Sequence, residues 1–246
     1  MQESKSGFLG MPTIAQLCKS VREELARAAD EDTRVKLARL IPGAIALGVP
    51  VPRLRELAAS LATQHAGLSL GDLCDVMDGL CDGRCREEIL VGTFVLGRRE
   101  KLLPSIAWNR IDNWVDALDN WETCDQIASN VIGFVVGAHL EQVDQLVQWT
   151  KSENLWRRRC ALATASALNQ KGRVFPRESF RVCLPLMNDP EPMVRKAVAW
   201  VIREASKKDE AAAFEFLSRH GHKAHPRVLR EACEKLSAEH RAALAK

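Results

Sequence analysis

What most limits the folds open to this chain is a helical periodicity that runs almost without interruption. Strand signals are nearly absent: there is no sustained two-residue alternation, no Asn-Gly hairpin turn and no run of β-branched residues. Apolar residues recur instead at three- and four-residue spacing. The pattern predicts helices over residues 12–29, 32–42, 51–64, 70–80, 84–98, 110–119, 121–137, 139–150, 153–169, 176–187, 191–206, 209–219, 225–236 and 237–245. Pro52 lies just inside one start, Glu153-Asn154 opens another, and Asp189-Pro190-Glu191-Pro192 places prolines and acids at a third. Gly137, Gly172 and Gly221 are read as terminators. The 246 residues are expected to form one all-α domain over 1–246, with 1–10 as a flexible N-terminal tail.

The second half repeats itself. Glu153-Asn-Leu-Trp-Arg-Arg-Arg-Cys-Ala-Leu-Ala can be laid on Glu191-Pro-Met-Val-Arg-Lys-Ala-Val-Ala-Trp-Val at an offset of 38, and Pro226-Arg-Val-Leu-Arg-Glu-Ala on Pro192-Met-Val-Arg-Lys-Ala-Val at 34. An opening such as Asp189-Pro190…Val194-Arg195…Ala197, recurring at this period, marks HEAT-type helix pairs. Each pair has an apolar face that only its neighbours can cover. The expectation is a right-handed solenoid of HEAT-like antiparallel helix pairs with a concave groove.

Composition adds one sharp fact. The net charge of +3 conceals a division: residues 1–150 carry 15 Lys+Arg against 21 Asp+Glu, a net of −6, and residues 151–246 carry 20 against 11, a net of +9. A basic C-terminal segment fits either a surface facing a polyanion or a set of solvated helix faces. No stretch approaches the roughly 20 apolar residues of a membrane span, and the N-terminus has no apolar core long enough for a secretory signal. The eight cysteines are therefore expected as reduced thiols in a cytoplasmic protein. Cys74, Cys81 and Cys85 lack paired Cys-x-x-Cys spacing and read as small buried thiols, with no metal site expected. His220, His222 and His225 read as a loop facing phosphate or solvent.

Four residues stand out from a plain scaffold. Trp121 and Asp125 are four apart, so a helix puts indole and carboxylate on one face, which then continues apolar through Ala128 and Ile132. A carboxylate there loses solvation and needs a partner or a cleft. Arg159 follows Trp156 by one turn, and Trp200 lies on the helix of Val194 and Ala197 in the next repeat. Two readings stay open: the Trp residues fill the core and Asp125 pairs internally with Arg159, or all four line a cleft.

The stretches NWETCDQIASNVIG, SENLWRRRCALAT, VRKAVAWVIREASKKD and LREACEKL, preceded by LGVPVPRLRELA, resemble the AlkD-type DNA alkylation repair family in order over residues 45–236. That resemblance implies a HEAT-like DNA glycosylase with Trp121, Asp125, Arg159 and Trp200 in its cleft. It implies hydrolysis of the glycosidic bond of cationic N3- or N7-alkylpurines in duplex DNA, by a monomer without metal or organic cofactor. Arg157, Arg158, Arg195, Lys196, Arg203, Arg227 and Arg230 are the cations expected along the DNA, and the protein would work in the cytoplasm, on the nucleoid. Where the family often has Trp-Asp, this chain has Trp121-Glu122, and with no Tyr it lacks an aromatic common near the family's N-terminus. The rival functions are a non-catalytic DNA-binding member that recognises bent or branched DNA, and a helical-repeat scaffold for protein partners.

Overall fold

A computed structural model of the protein describes residues 12–244, and the expected tail over 1–10 lies outside them. Among the described residues the regular structure is helical throughout, with a single isolated bridge between Ile45 and Cys85. The α-helices are α1 (Ile14–Ala28), α2 (Glu31–Leu40), α3 (Val51–Gln64), α4 (Leu70–Cys81), α5 (Arg86–Leu96), α6 (Trp108–Asp116), α7 (Trp121–Ile127), α8 (Gly133–Ala138), α9 (Val143–Trp149), α10 (Leu155–Ala167), α11 (Pro176–Cys183), α12 (Pro192–Ser206), α13 (Glu210–His220), α14 (Pro226–Ala232) and α15 (Ala238–Leu244). No helix among them is long and apolar enough to cross a membrane.

The helices stack in two layers. One runs α3, α5, α7, α10, α12, α14, each packed on the next. The other contains α1, α4, α6, α9, α11 and α13, and pairs such as α4 with α5, α9 with α10 and α11 with α12 join the two. The sequence repeat is thus the succession of helices in the first, inner layer; the caps of α12 and α14, Glu191 and His225, are 34 residues apart as read, while those of α10 and α12, Asn154 and Glu191, are 37 apart, one fewer than the offset read from the sequence. Apolar burial between the layers is continuous, from Leu17 and Val21 in α1 to Val228 and Ala232 in α14. Each buried Val, Leu or Ile side chain contributes about 1.5–3 kcal/mol.

The outer layer is cross-linked by acids that reach one repeat forward. Trp114 Nε1 donates to Asp78 at 2.5 Å and Trp149 Nε1 to Asp112 at 2.8 Å, while Arg110 holds Asp75 at 2.6 Å. Trp108 stacks on Trp149 with centroids 5.0 Å apart. These Trp residues are therefore rungs of a ladder between repeats.

Local chemistry accounts for most helix ends. Thr13 and Ser69 close capping boxes on α1 and α4, and Asp30, Asn120, Asn154 and Asp209 cap α2, α7, α10 and α13. The single helix expected over 121–137 is instead α7, a π-helical turn at Ala128–Ile132, and α8. Asn130 Nδ2 donates to the Gln126 carbonyl at 2.8 Å within this turn, a side-chain insertion into the backbone ladder that widens it. Gly137 lies inside α8, where its function is close packing: a Cβ there would sit 2.7 Å from Arg173 Cδ. Gly172, at φ +82°, does end the α10 segment.

Seven of the eight cysteines are buried and all are free. Burial pushes the thiols of Cys74 and Cys85 up to about 11 and that of Cys81 to about 12, so they sit as neutral apolar fillers. No group of three or more His, Cys, Asp or Glu able to hold a metal occurs among the described residues. His225 caps α14, its Nδ1 accepting from Arg227 N at 3.1 Å, and His220 packs at a tilt on Phe216.

Candidate functional site

Each inner helix starts at an N-cap residue, so one position of the repeat can be followed along the layer by counting from it. Counting five residues on from the caps Pro50, Cys85, Asn120, Asn154, Glu191 and His225 gives Arg55, Leu90, Asp125, Arg159, Lys196 and Arg230. One position of the repeat therefore carries four cations, one buried Leu and one acid. The acid is Asp125, and it lies beside the next cation in the row.

Arg159 Nη2 donates to both Asp125 oxygens, at 3.0 and 2.8 Å, and its Nη1 donates to the Met193 carbonyl at 2.8 Å. Arg159 Nε is buried without a partner. The guanidinium is 7% exposed and the carboxylate 21%, so the pair leaves part of the acid, and little of the base, open to the cleft. Burial pushes the Asp125 carboxyl above the ordinary aspartate range, and Arg159 pulls it back.

Around this pair an open cleft of about 480 Å³ is lined by Leu40, Trp121, Met193, Ala197 and Trp200, with Lys196 and Arg203 also on its wall. The two indoles supply electron-rich faces, and the carboxylate supplies the only negative charge among the lining residues. The arrangement suits a flat cation or a group that gains positive charge during reaction.

Trp121 and Asp125 are held by a buried network that periodicity could not reveal. Arg86, 2% exposed, donates to Glu122 at 2.6 and 3.0 Å, and to Glu87 and the Val49 carbonyl, both at 3.0 Å. Glu87 accepts in turn from the N–H groups of Leu47, Gly48 and Val49. Gly48 is required there: at φ +92°, a Cβ would lie 2.2 Å from the Asp30 carbonyl oxygen. The end of α2, which leads into this loop, brings Leu40 to the cleft, where Trp121 Nε1 donates to its carbonyl at 3.1 Å. Leu40 and Met193 were not foreseen as cleft residues; only the need of a half-buried indole for an acceptor hinted at the first.

The structure brings Trp121, Asp125, Arg159, Trp200, Lys196 and Arg203 to one cleft, so both open readings hold in part: Asp125 and Arg159 pair with each other and also line the cavity. Of the cations expected along the DNA, it ties several to other partners. Arg157 holds Asp112 at 2.7 Å and Asp116 at 2.5 Å across the layers. Arg158 holds Asp189 at 2.8 Å and the carbonyls of Ser152 and Glu153. Arg195, its counterpart one repeat on, folds back onto the carbonyls of Asp189 and Pro190. Arg227 pairs with Glu231 at 2.6 Å and Arg203 approaches Glu234 at 3.5 Å, whereas Lys196 and Arg230 are exposed.

Comparison with known proteins bears on the family and on the helical fold. The family described as DNA alkylation repair enzyme matches residues 21–236. A structure titled as a predicted DNA alkylation repair enzyme from Enterococcus faecalis superposes with a TM-score of 0.69 at 18% identity, covering 85% of this chain and 97% of its own. AlkD2 from Streptococcus mutans superposes with a TM-score of 0.56 at 16% identity, covering 92% and 100%. No curated protein sequence matches the chain.

Proposed function

The chain belongs to the DNA alkylation repair enzyme family, and from that premise we propose that it is a DNA glycosylase acting on cationic N3- or N7-alkylated purines in duplex DNA. The observation that carries this reading is a single carboxylate, Asp125, set between two indole faces in an open cleft and oriented by Arg159.

The chemistry needs little more. Alkylation at N3 or N7 leaves the purine positively charged, so the C1′–N9 bond breaks with its electron pair going to the base, which departs neutral. Positive charge moves to the deoxyribose, and Asp125 opposes it at close range in a partly desolvated site. Water then adds to C1′, and its proton passes to Asp125 or to solvent. Trp121 and Trp200 hold the cationic base or sugar through their π-faces, at about 0.5–2 kcal/mol each. Lys196 at the wall meets a flanking phosphate, and Arg159 keeps the carboxylate aimed. No acid is needed to protonate the leaving base, and no metal or organic cofactor enters the scheme. The substrate places such a monomer on the nucleoid in the cytoplasm.

The test is release of 7-methylguanine or 3-methyladenine from methylated duplex DNA by wild type beside Asp125→Asn. Release that falls by about 10²–10³ in a folded variant is the expected result, the loss seen when one preorganised electrostatic group is removed. If the wild type releases neither base yet binds DNA with steep salt dependence, the non-catalytic DNA-binding reading replaces this one. If it neither cleaves nor binds, the protein-scaffold reading does.

A further inference from the structure

Arg55 occupies the first place in the inner-layer row that contains Asp125, yet it lies outside the cleft. It reaches along α7 instead, with its Nη2 donating to Gln126 Oε1 at 3.3 Å, one residue beyond the cleft carboxylate. Its guanidinium lies 4.3 Å over the Phe94 ring, and with Arg98 and Asn130 it lines a shallow pocket of about 190 Å³. On the adjoining α8 is Phe134, and from the turn between α10 and α11 Lys171 and Arg173 stand 4.9 and 4.4 Å over its ring.

Four cations thus gather at one edge of the inner layer. Among the described residues the only carboxylate within ion-pair reach of them is Glu100, at 3.9 Å from Lys171. Burial pushes the Lys171 ammonium below its ordinary value, and Arg173 and Arg55 add to that effect against Glu100. Arg173 Nη2 is sealed without a hydrogen-bond partner while its Nε donates to the Ala167 carbonyl at 2.9 Å. The aliphatic part of Arg173 packs on Gly137, and Lys171 itself sits at φ +50° beside Gly172. The turn is fixed, so the repulsion between these cations is built in and an anion would relieve it.

We propose that Arg55, Arg98 and Lys171 form a second phosphate-binding patch, each meeting a separate phosphate of the DNA backbone on the flank of the cleft, with Arg173 positioning the turn that carries Lys171. The aromatic platforms under Arg55 and Lys171 leave their charged ends open, and the guanidinium forks match phosphodiester oxygens. Because Gln126 follows Asp125 directly, a strand whose lesion enters the cleft would run past Arg55 within a few nucleotides. This inference rests on DNA being the cleft's ligand, but not on base release.

The test is fluorescence-anisotropy binding of an undamaged duplex as a function of salt. Arg55→Gln with Lys171→Gln should weaken binding about tenfold or more at low salt and make the slope of log K against log salt shallower by about 1.8, close to 0.9 per lost phosphate contact. Arg55→Lys with Lys171→Arg should restore most of both. Lys19→Gln with Arg27→Gln, which removes the same charge from exposed positions on α1, should leave the slope unchanged. Wild-type affinity and slope in the first variant would overturn the proposal while leaving the glycosylase reading intact. Equal losses in the α1 control would overturn it too, since the effect would then belong to net charge. DNA binding of the expected kind without base release would remove the glycosylase reading alone.

Discussion

At the scale of single residues, the Asp125–Arg159 pair sets opposing demands on one carboxyl. Burial raises its proton affinity and Arg159 lowers it, so Arg159 widens the pH range over which the acid is a carboxylate. The sign for activity follows: release should fall as pH drops through the Asp125 value, which lies above the ordinary aspartate range. In Arg159→Gln the lowering influence is gone, and the acid limb of the rate profile should move further toward neutral pH. Initial rates of 7-methylguanine release between about pH 4 and 8 would show it, and a limb that stays put in Arg159→Gln would contradict the pairing. The same variant should lose about 3 kcal/mol of stability by urea unfolding, because it leaves a mostly buried carboxylate without its counter-charge. Asp125 drew notice in the sequence because it shares a face with the indole four residues before it, and Arg159 because it follows Trp156 by one turn; their pairing across 34 positions was one of two readings the sequence left open, and the structure makes it.

Among the elements, the division of labour between the layers makes a different prediction. The ladder of Trp114, Trp149 and Arg110 onto Asp78, Asp112 and Asp75 belongs to the outer layer, while the cleft belongs to α7, α10 and α12. Trp149→Phe keeps the ring stacked on Trp108 and loses the hydrogen bond, at about 1–2 kcal/mol; Trp149→Ala empties a buried site and should cost about 3–5 kcal/mol. In each, the urea midpoint should fall with the slope unchanged, and base release per folded molecule should match wild type. A large loss of release by folded Trp149→Phe would mean that the outer layer shapes the cleft more directly than its position implies. Element ends were legible wherever a cap or proline marks them, as at Asn120, Asn154 and Pro192. The π-turn at Ala128–Ile132 was not, since its cause is a side-chain bond from Asn130 and not a period.

For the whole molecule, the relevant quantity is the number of cations left without partners. If each of the 20 Lys and Arg in residues 151–246 met a phosphate, binding would fall with salt at a slope near −18. The structure pairs most of those that were candidates, leaving Lys196 and Arg230 on the inner row; Arg55, Arg98 and Lys171, the last only 3.9 Å from Glu100, are the proposed additional contacts. A slope of roughly −4 to −5 for an undamaged duplex is therefore expected, at about 0.9 per contact; a value beyond −10 would mean that the ion pairs open on binding. The amino-acid sequence by itself determined most of the helices, their order and the inner-layer repeat, because periodicity, caps and local spacing act within a few turns of chain; the four cleft residues came from the family resemblance, since spacing alone left them open between core and cleft. Only the tertiary structure decided which charges are free. Arg157 meets Asp112 across 45 positions and Arg55 meets Gln126 across 71, and such pairs exist because stacking sets which faces of distant helices touch.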